Sequence, residues 1–327
     1  MQHKGGPRLL VTDREGALYL ERARIHVQGD RVVYHITDDE FRREYNVPHV
    51  NLAVLFIGQG TSISQSAIRL LGEEGVHLAV TGSGGSPMHM GSLTNYTATR
   101  HFRELLPIYL DPQRSLLAAK AIMSHRIERM KRIGGKQAQQ RLKQRHIFGL
   151  SEICASFDHD LGVCTSSNQL LGFEGNFSKR CYAEFAKMSG LSKVKVFRRE
   201  PGAGISDQCV FDPVRQVNRL IDHGNYLCYG MAGAALWALG IPPHMSVLHG
   251  KTRAGGLVFD LADSFKDALV LPLAFSLARE KSSREAEHVF RGRLIAAFDD
   301  NAILKEAIRS VEMMIEVGDP TAGLKHA

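Results

Sequence analysis

The sequence lacks the residues on which disulfide-stapled, metal-ribbon and membrane-spanning proteins depend. Its five cysteines, Cys154, Cys164, Cys181, Cys209 and Cys228, include no C-x-x-C pair and are odd in number. Neither a zinc ribbon nor a disulfide framework fits, and reduced thiols in a cytoplasmic protein are expected. No apolar run approaches the roughly 20 residues of a bilayer span; Leu269–Ala278, one of the longest, is broken by Pro272. The opening MQHKGGPRLL has no apolar stretch, so no secretory signal is expected. Two glycine-rich phrases are incomplete as nucleotide motifs. Gly58-x-Gly60 has Ile63 where a dinucleotide fingerprint needs its third glycine, and Gly82–Gly85 lacks the Lys-Ser/Thr of a P-loop. Both read as sharp turns, which removes a nucleotide-cofactor enzyme from consideration.

What is present is an ordinary globular composition, 44% hydrophobic and 23% charged over 327 residues, a length that suggests two domains. The formal charge of +7 is unevenly spread. Residues 120–145 carry nine Lys/Arg (Lys120, Arg126, Arg129, Lys131, Arg132, Lys136, Arg141, Lys143, Arg145) against the single acid Glu128. Such a block either attracts a polyanion, of which a nucleic-acid backbone is the commonest, or is a solvated helix face.

The two halves differ in texture. Residues 1–97 read as β structure: Ala17–Gln28 and Arg31–Ile36 flank a hairpin turn at Gly29-Asp30, and Asn51–Gly58 is a continuous apolar run of the kind buried on both faces. Ser62–Leu71 has helical spacing, and Val76–Val80 is a further short strand. The expectation is a β-sandwich-like domain with one helix, over 1–97. Residues 98–327 read as an all-α domain. Asp111-Pro112 opens a helix that Gly134-Gly135 should stop, and further helices are expected at Gln169–Ser189, Asp212–Leu239, Phe259–Arg279 and Ser282–Val317. Segments 134–145 and 190–210 read as mobile connections and Gly318–Ala327 as a frayed tail.

Four acid/base residues of the helical half stand out. Glu174 lies in an uncharged stretch with Phe173 and Phe177 around it; His249 lies in a loop after Pro242-Pro243; Asp260 and Asp263, three apart, share one face of a helical turn set among apolar residues. Each has a plain structural reading: a solvated helix-entry acid, a hydrogen-bonded loop histidine, an acidic first turn. Together they make a hard-metal site on helices, suited by its oxygens to Mg2+ or Mn2+ and tilted by the imidazole toward Mn2+. Lys251 and Arg253, beside His249, are placed to grip phosphate oxygens. The residues by themselves thus point to a metal-dependent enzyme acting on nucleic acid.

The phrases Asn218–Gly230 (NRLIDHGNYLCYG), Leu248–Arg253 (LHGKTR) and Gly255–Asp263 (GGLVFDLAD) resemble the CRISPR-associated integrase, the most widespread CRISPR-associated protein, and most closely its type I-F branch. Gly58-Gln59-Gly60-Thr61-Ser62, leading to Ala67-Ile68-Arg69, is similar to the family's Gly-Thr turn and helix. The resemblance implies an N-terminal β-sandwich, a helical domain carrying the metal site, and a homodimer. Two such dimers would clamp a dimer of a small companion protein, fused in type I-F systems to a nuclease-helicase. It places the family's metal-binding glutamate on Glu174, its histidine on His249 and its acidic pair on Asp260 and Asp263. A DNA-contacting arginine falls on Arg69, while Ser62 and Pro87 stand where some members carry arginine. With Arg126, Arg129, Arg132, Lys251 and Arg253, Arg69 completes the expected DNA-binding set. The implied activity is insertion of short foreign DNA into a CRISPR array by 3′-hydroxyl attack on phosphodiesters. A metal nuclease of DNA repair, or a non-catalytic DNA-binding assembly subunit, are the alternative readings.

Overall fold

A computed structural model describes residues 14, 16–37, 43–81, 88–91, 99–143, 147–202, 211–250, 254–280 and 282–319. Its strand-rich part comprises β1 (Gly16–Leu20), β2 (Ala23–Gln28), β3 (Arg31–Ile36), β4 (Tyr45–Asn46), β5 (Leu52–Ile57), β6 (Ser62–Ile63), α1 (Gln65–Glu73), β7 (His77–Val80) and β8 (Met88–Met90). The turn between β2 and β3 puts both Gly29 and Asp30 at positive φ, 55° and 59°. That is the geometry a two-residue hairpin needs to match the strands' twist.

The strands form two four-stranded sheets, ordered β1-β5-β7-β8 and β4-β3-β2-β6. In the first, β1, β5 and β7 run parallel, with α1 on the β5-to-β7 crossover, and β8 joins antiparallel. Leu52, Leu55 and Ile57 face a core shared with Ile25, Val32 and Leu71, while Ala53, Val54 and Phe56 join the core of the helical half. Strand β5 is therefore buried on both sides, as its unbroken apolar run requires.

The helical part follows as α2 (Arg100–Leu110), α3 (Pro112–Arg129), α4 (Gly135–Arg141), α5 (Phe148–Val163), α6 (Ser167–Met188), α7 (Pro213–Ala238), α8 (Gly256–Asp263), α9 (Lys266–Ser276), α10 (Ser283–Asp300) and α11 (Ile303–Gly318). Asp111 caps α3 by accepting from the amides of Gln113 and Arg114 at 2.8 and 3.1 Å, with Pro112 in the first turn. Asp212 and Pro213 repeat the arrangement at α7. Helix α7 is the hub, and it closes onto β5 so tightly that a Cβ on Gly230 would lie 2.2 Å from Phe56 Cε1.

Three expectations are corrected. Gly134-Gly135 does not stop the helix: a π-helical turn, Met130–Gly134, leads straight into α4, because both pack against α9. Residues 134–141 are thus helical and not a mobile link. Phe259–Arg279 breaks at Ser264-Phe265 into α8 and α9. Ser282–Val317 breaks where Ala302 adopts φ 47°, separating α10 from α11. Of 190–210, Leu191–Lys193 forms a 3-10 turn and 203–210 lie outside the described residues, as do 82–87 and 320–327. Cys154, Cys164, Cys181 and Cys228 are buried free thiols, and Cys209 lies outside the described residues. Among the described residues no helix is long and apolar enough to cross a membrane.

Candidate active site

The break between α8 and α9 brings together residues from five elements. Asp263 ends α8 and Lys266 opens α9; His249 comes from the loop after α7, Glu174 from α6 and Arg126 from α3. Lys266 Nζ is ion-paired with Asp263 Oδ1, and His249 Nε2 lies 3.9 Å from Asp263 Oδ2. Arg126 Nη1 donates to Glu174 Oε1 at 2.7 Å, and Ser178 Oγ to the same oxygen at 2.9 Å. Arg126 also donates through Nε to Asp267 Oδ2 at 3.0 Å and is ion-paired with it through Nη2.

Asp260 plays a different part from its three companions. Fully buried, it accepts at Oδ2 from Ser246 Oγ (2.7 Å) and the amides of Val247 and Leu248 (2.8 and 3.1 Å). At Oδ1 it accepts from the His249 amide (3.0 Å) and pairs with His249 Nδ1 (2.7 Å). Both oxygens are spent, so Asp260 anchors the 246–249 loop and is not available as a metal ligand; the expectation that it would be one is corrected. Its bond to Nδ1 places the ring proton there and leaves the Nε2 lone pair facing Asp263. Carboxylate–imidazole pairs of this kind orient metal-binding histidines.

The charges explain one another. Burial alone would raise the Glu174 carboxyl, but the Arg126 guanidinium and Lys266 ammonium, with hydrogen bonds from Arg126 and Ser178, hold it well below the usual carboxylate range. Burial alone would depress His249; the bond to Asp260 and the fields of Asp263, Asp260 and Glu174 outweigh it and raise its proton affinity. A field that favours a proton on Nε2 favours any cation there. Lys266, partly buried, stays charged because Asp263 overcomes its desolvation.

A divalent cation fits the chemistry of this donor set. His249 Nε2 and Asp263 Oδ2 face each other, and Glu174 Oε2 takes no hydrogen bond from a described residue. Around them, among the described residues, four carboxylates (Glu174, Asp260, Asp263, Asp267) meet two cations, Arg126 and Lys266. Among the described residues no three His, Cys, Asp or Glu side chains are gathered into a finished metal cage. The physical reason is at hand: Lys266 and Arg126 hold Asp263 and Glu174 to themselves.

The arginines of the basic block part company. Arg126 and Arg129 are 2% and 1% exposed and face the interior, which corrects the expectation that they contact DNA. Arg129 donates to Ser264 Oγ (2.8 Å), Ser310 Oγ (2.9 Å) and the Glu306 carbonyl (2.7 Å), and pairs with the Glu306 carboxylate at 3.1 Å. It thereby pins the residue that follows Asp263. Arg132 is 51% exposed, and Arg69 is exposed on α1, apart from the carboxylate cluster. Lys251 and Arg253 lie outside the described residues. Sequence reasoning missed Lys266 and Asp267. The signal was available: two more charged residues stand only three and four positions beyond Asp263, in an otherwise apolar stretch.

A family model described as CRISPR associated protein Cas1 matches residues 17–309. The chain belongs to this family. A CRISPR-associated endonuclease Cas1 from Pectobacterium atrosepticum is 32% identical over 320 residues, covering 93% of both chains. The solved TtCas1–DNA complex superposes with a TM-score of 0.63 at 23% identity over 92% of this chain and 91% of that one. A casposase bound to integration product does so with 0.66 at 16% identity over 91% of each. Both share the fold of this chain. The Cas1-family match spans nearly the whole described chain, including every member of the carboxylate cluster.

Proposed function

We propose that this chain is a metal-dependent DNA endonuclease and strand-transfer integrase that inserts short foreign DNA into a CRISPR array. The observation that carries the reading is His249 Nε2 facing Asp263 at the α8–α9 break, within the field of Glu174 and with Asp260 locking the histidine. Family membership and the endonuclease name of a relative 32% identical support the same activity class. A Mg2+ or Mn2+ ion held by Glu174, His249 and Asp263 would stabilise charge on the attacking and leaving oxygens of a phosphodiester.

The protein's own groups prepare for this. Arg126 keeps Glu174 ionised, Asp260 keeps the Nδ1 proton in place, and Lys266 balances the charge of Asp263. In the reaction the 3′-hydroxyl oxygen of the incoming DNA forms a bond to phosphorus as the existing 3′ P–O bond of the repeat strand breaks. One phosphodiester replaces another, so no nucleotide cofactor or covalent enzyme intermediate is required. The working unit would be a homodimer, two of which flank the small companion protein with DNA across them, away from any membrane.

The test compares duplexes with 3′-hydroxyl and 3′-blocked ends on a repeat-containing target, with Mg2+ or Mn2+ and the companion protein. Joined products from the hydroxyl ends alone, abolished by Asp263→Ala in a protein that still folds, are expected. Equal cleavage with both kinds of end would make the protein a hydrolytic nuclease instead.

A further inference from the structure

Past Arg129 the basic block comes to the surface at a corner formed by the π-turn, α4 and the α10–α11 junction. A cavity of about 440 Å3 opens there, lined among others by Arg132, Lys136, Gln140, Arg141, Asp300 and Asn301. Its electrostatics differ from those of the carboxylate site. Three lining cations meet one lining carboxylate, Asp300. Arg132 shares its charge with Glu306 at 3.4 Å and, more distantly, with Glu128 at 4.0 Å. Lys136 and Arg141 pair with no carboxylate among the described residues. Arg141 is instead held by donating from Nε to Gln137 Oε1 at 3.1 Å. Burial and the nearby Arg293 guanidinium together depress Arg141. Cations gathered without enough acid between them repel, and an anion is what would relieve that repulsion.

The lining also restricts the anion. It contains no aromatic side chain on which a base could stack, only guanidinium, ammonium and amide donors. Such donors suit phosphate oxygens and carry no base information. The space exceeds that of a single ion. Arg132 lies three residues beyond Arg129, whose guanidinium reaches Ser264 beside Asp263.

We infer that the Arg132–Lys136–Arg141 cavity is a phosphate subsite that holds the backbone of duplex DNA away from the reacting phosphodiester. The inference rests on the proposed action on DNA and adds a second foothold to it, sequence-independent and separate from the metal ligands. Free phosphate groups share the same chemistry, and the experiment separates the two sources.

Fluorescence anisotropy of a labelled duplex is measured over a salt series for wild type and for Lys136→Gln/Arg141→Gln. Pyrophosphate binding to each is measured by calorimetry. The expected result is a log–log salt slope shallower by about 0.9 for each DNA phosphate that the variant no longer neutralises, together with at least tenfold weaker pyrophosphate binding. An unchanged slope overturns the proposal, and if pyrophosphate binding has nevertheless fallen, the ligand is a free phosphate compound. A wild-type protein that binds no duplex at all overturns the proposed action on DNA, a distinct failure. Lys136→Gln alone, at an exposed position, gives the same reading for a single phosphate should the double variant not fold.

Discussion

Two buried polar clusters meet opposite fates in this molecule. At the carboxylate site, Arg126, Lys266 and Glu174 are held in their charged forms by opposite charges close by. Between β7, β8 and α7, His77 and His89 share a 2.8 Å ring-to-ring hydrogen bond and are neutral, their proton affinity pushed down to about 3 and about 4, by burial above all. Gly233 makes room for the His89 ring on α7, and the His77 ring lies 5.9 Å from that of Trp237. Burial allows a titratable group two stable outcomes, an opposite charge close by or no charge at all. The helical half supplies counter-ions from several helices; the strand–helix seam supplies only another histidine.

The hardest break in that comparison is Arg126→Ala. It leaves Glu174 and the 5%-exposed Asp267 without their shared cation, a loss of about 3–5 kcal/mol. Urea unfolding should show a lower midpoint with an unchanged slope. A variant as stable as the wild type would mean the cluster is not held by charge pairing.

Asp260→Ala removes five hydrogen bonds from the 246–249 loop and the group that orients His249. Activity or metal affinity should fall about 10–100-fold, the range for missing orienting partners. Asp263→Ala should be inactive outright. Equal residual activities would return Asp260 to the ligand set.

Acid should separate the two clusters. The histidines have native proton affinities below their ordinary value of 6.5, so between about pH 6.5 and 4 the unfolded chain binds protons that the native one refuses. Stability is therefore full above about 6.5 and lost as pH falls through that window, by up to about 1.4 kcal/mol per pH unit for each histidine. His223, pushed down to about 4 by burial and by Arg291 and Arg219, adds to the slope. Glu174 is shifted in the same direction but in a more acidic range: its contribution is present above its ordinary range and lost only in stronger acid, as pH falls through its depressed native value. Trp237, the single tryptophan, reports on the histidine seam, and its fluorescence should change before the carboxylate site loosens. A simultaneous change would merge the two clusters into one cooperative unit.

The smallest effect should come from Lys136→Gln, at an exposed position of the same basic block. Its unfolding free energy should stay within about 0.5 kcal/mol of wild type, against the severe loss at buried Arg126.

Much of this was readable from local pattern. Asp111-Pro112 and Asp212-Pro213 announce helix starts because cap and proline act within one turn, and Leu52–Ile57 announces a strand buried on both faces because an uninterrupted apolar run has no solvent side. Glu174, His249 and Asp263 stand out as polar residues in apolar or loop settings that need a reason. The helix breaks were harder. Ser264-Phe265 and Ala302 carry no strong breaker, and Gly134-Gly135 carries one that the packing against α9 overrides.

By itself the sequence determined a strand-rich half followed by a helical half, the hairpin at Gly29-Asp30, the family and the four acid/base residues singled out for a cation, since each follows from neighbours within a few residues or from short phrases such as GGLVFDLAD. Only the tertiary structure decided what each charge faces. Arg126, Arg129, Arg132 and Lys136 are one basic run along the chain, yet two are locked inside by Glu174, Asp267 and Glu306 and two line an open corner. Asp260 and Asp263 are one helical turn apart, yet the first is spent on a loop and the second faces His249. Coulomb energy and desolvation depend on which distant segments close around a group, and no short stretch of chain contains that information.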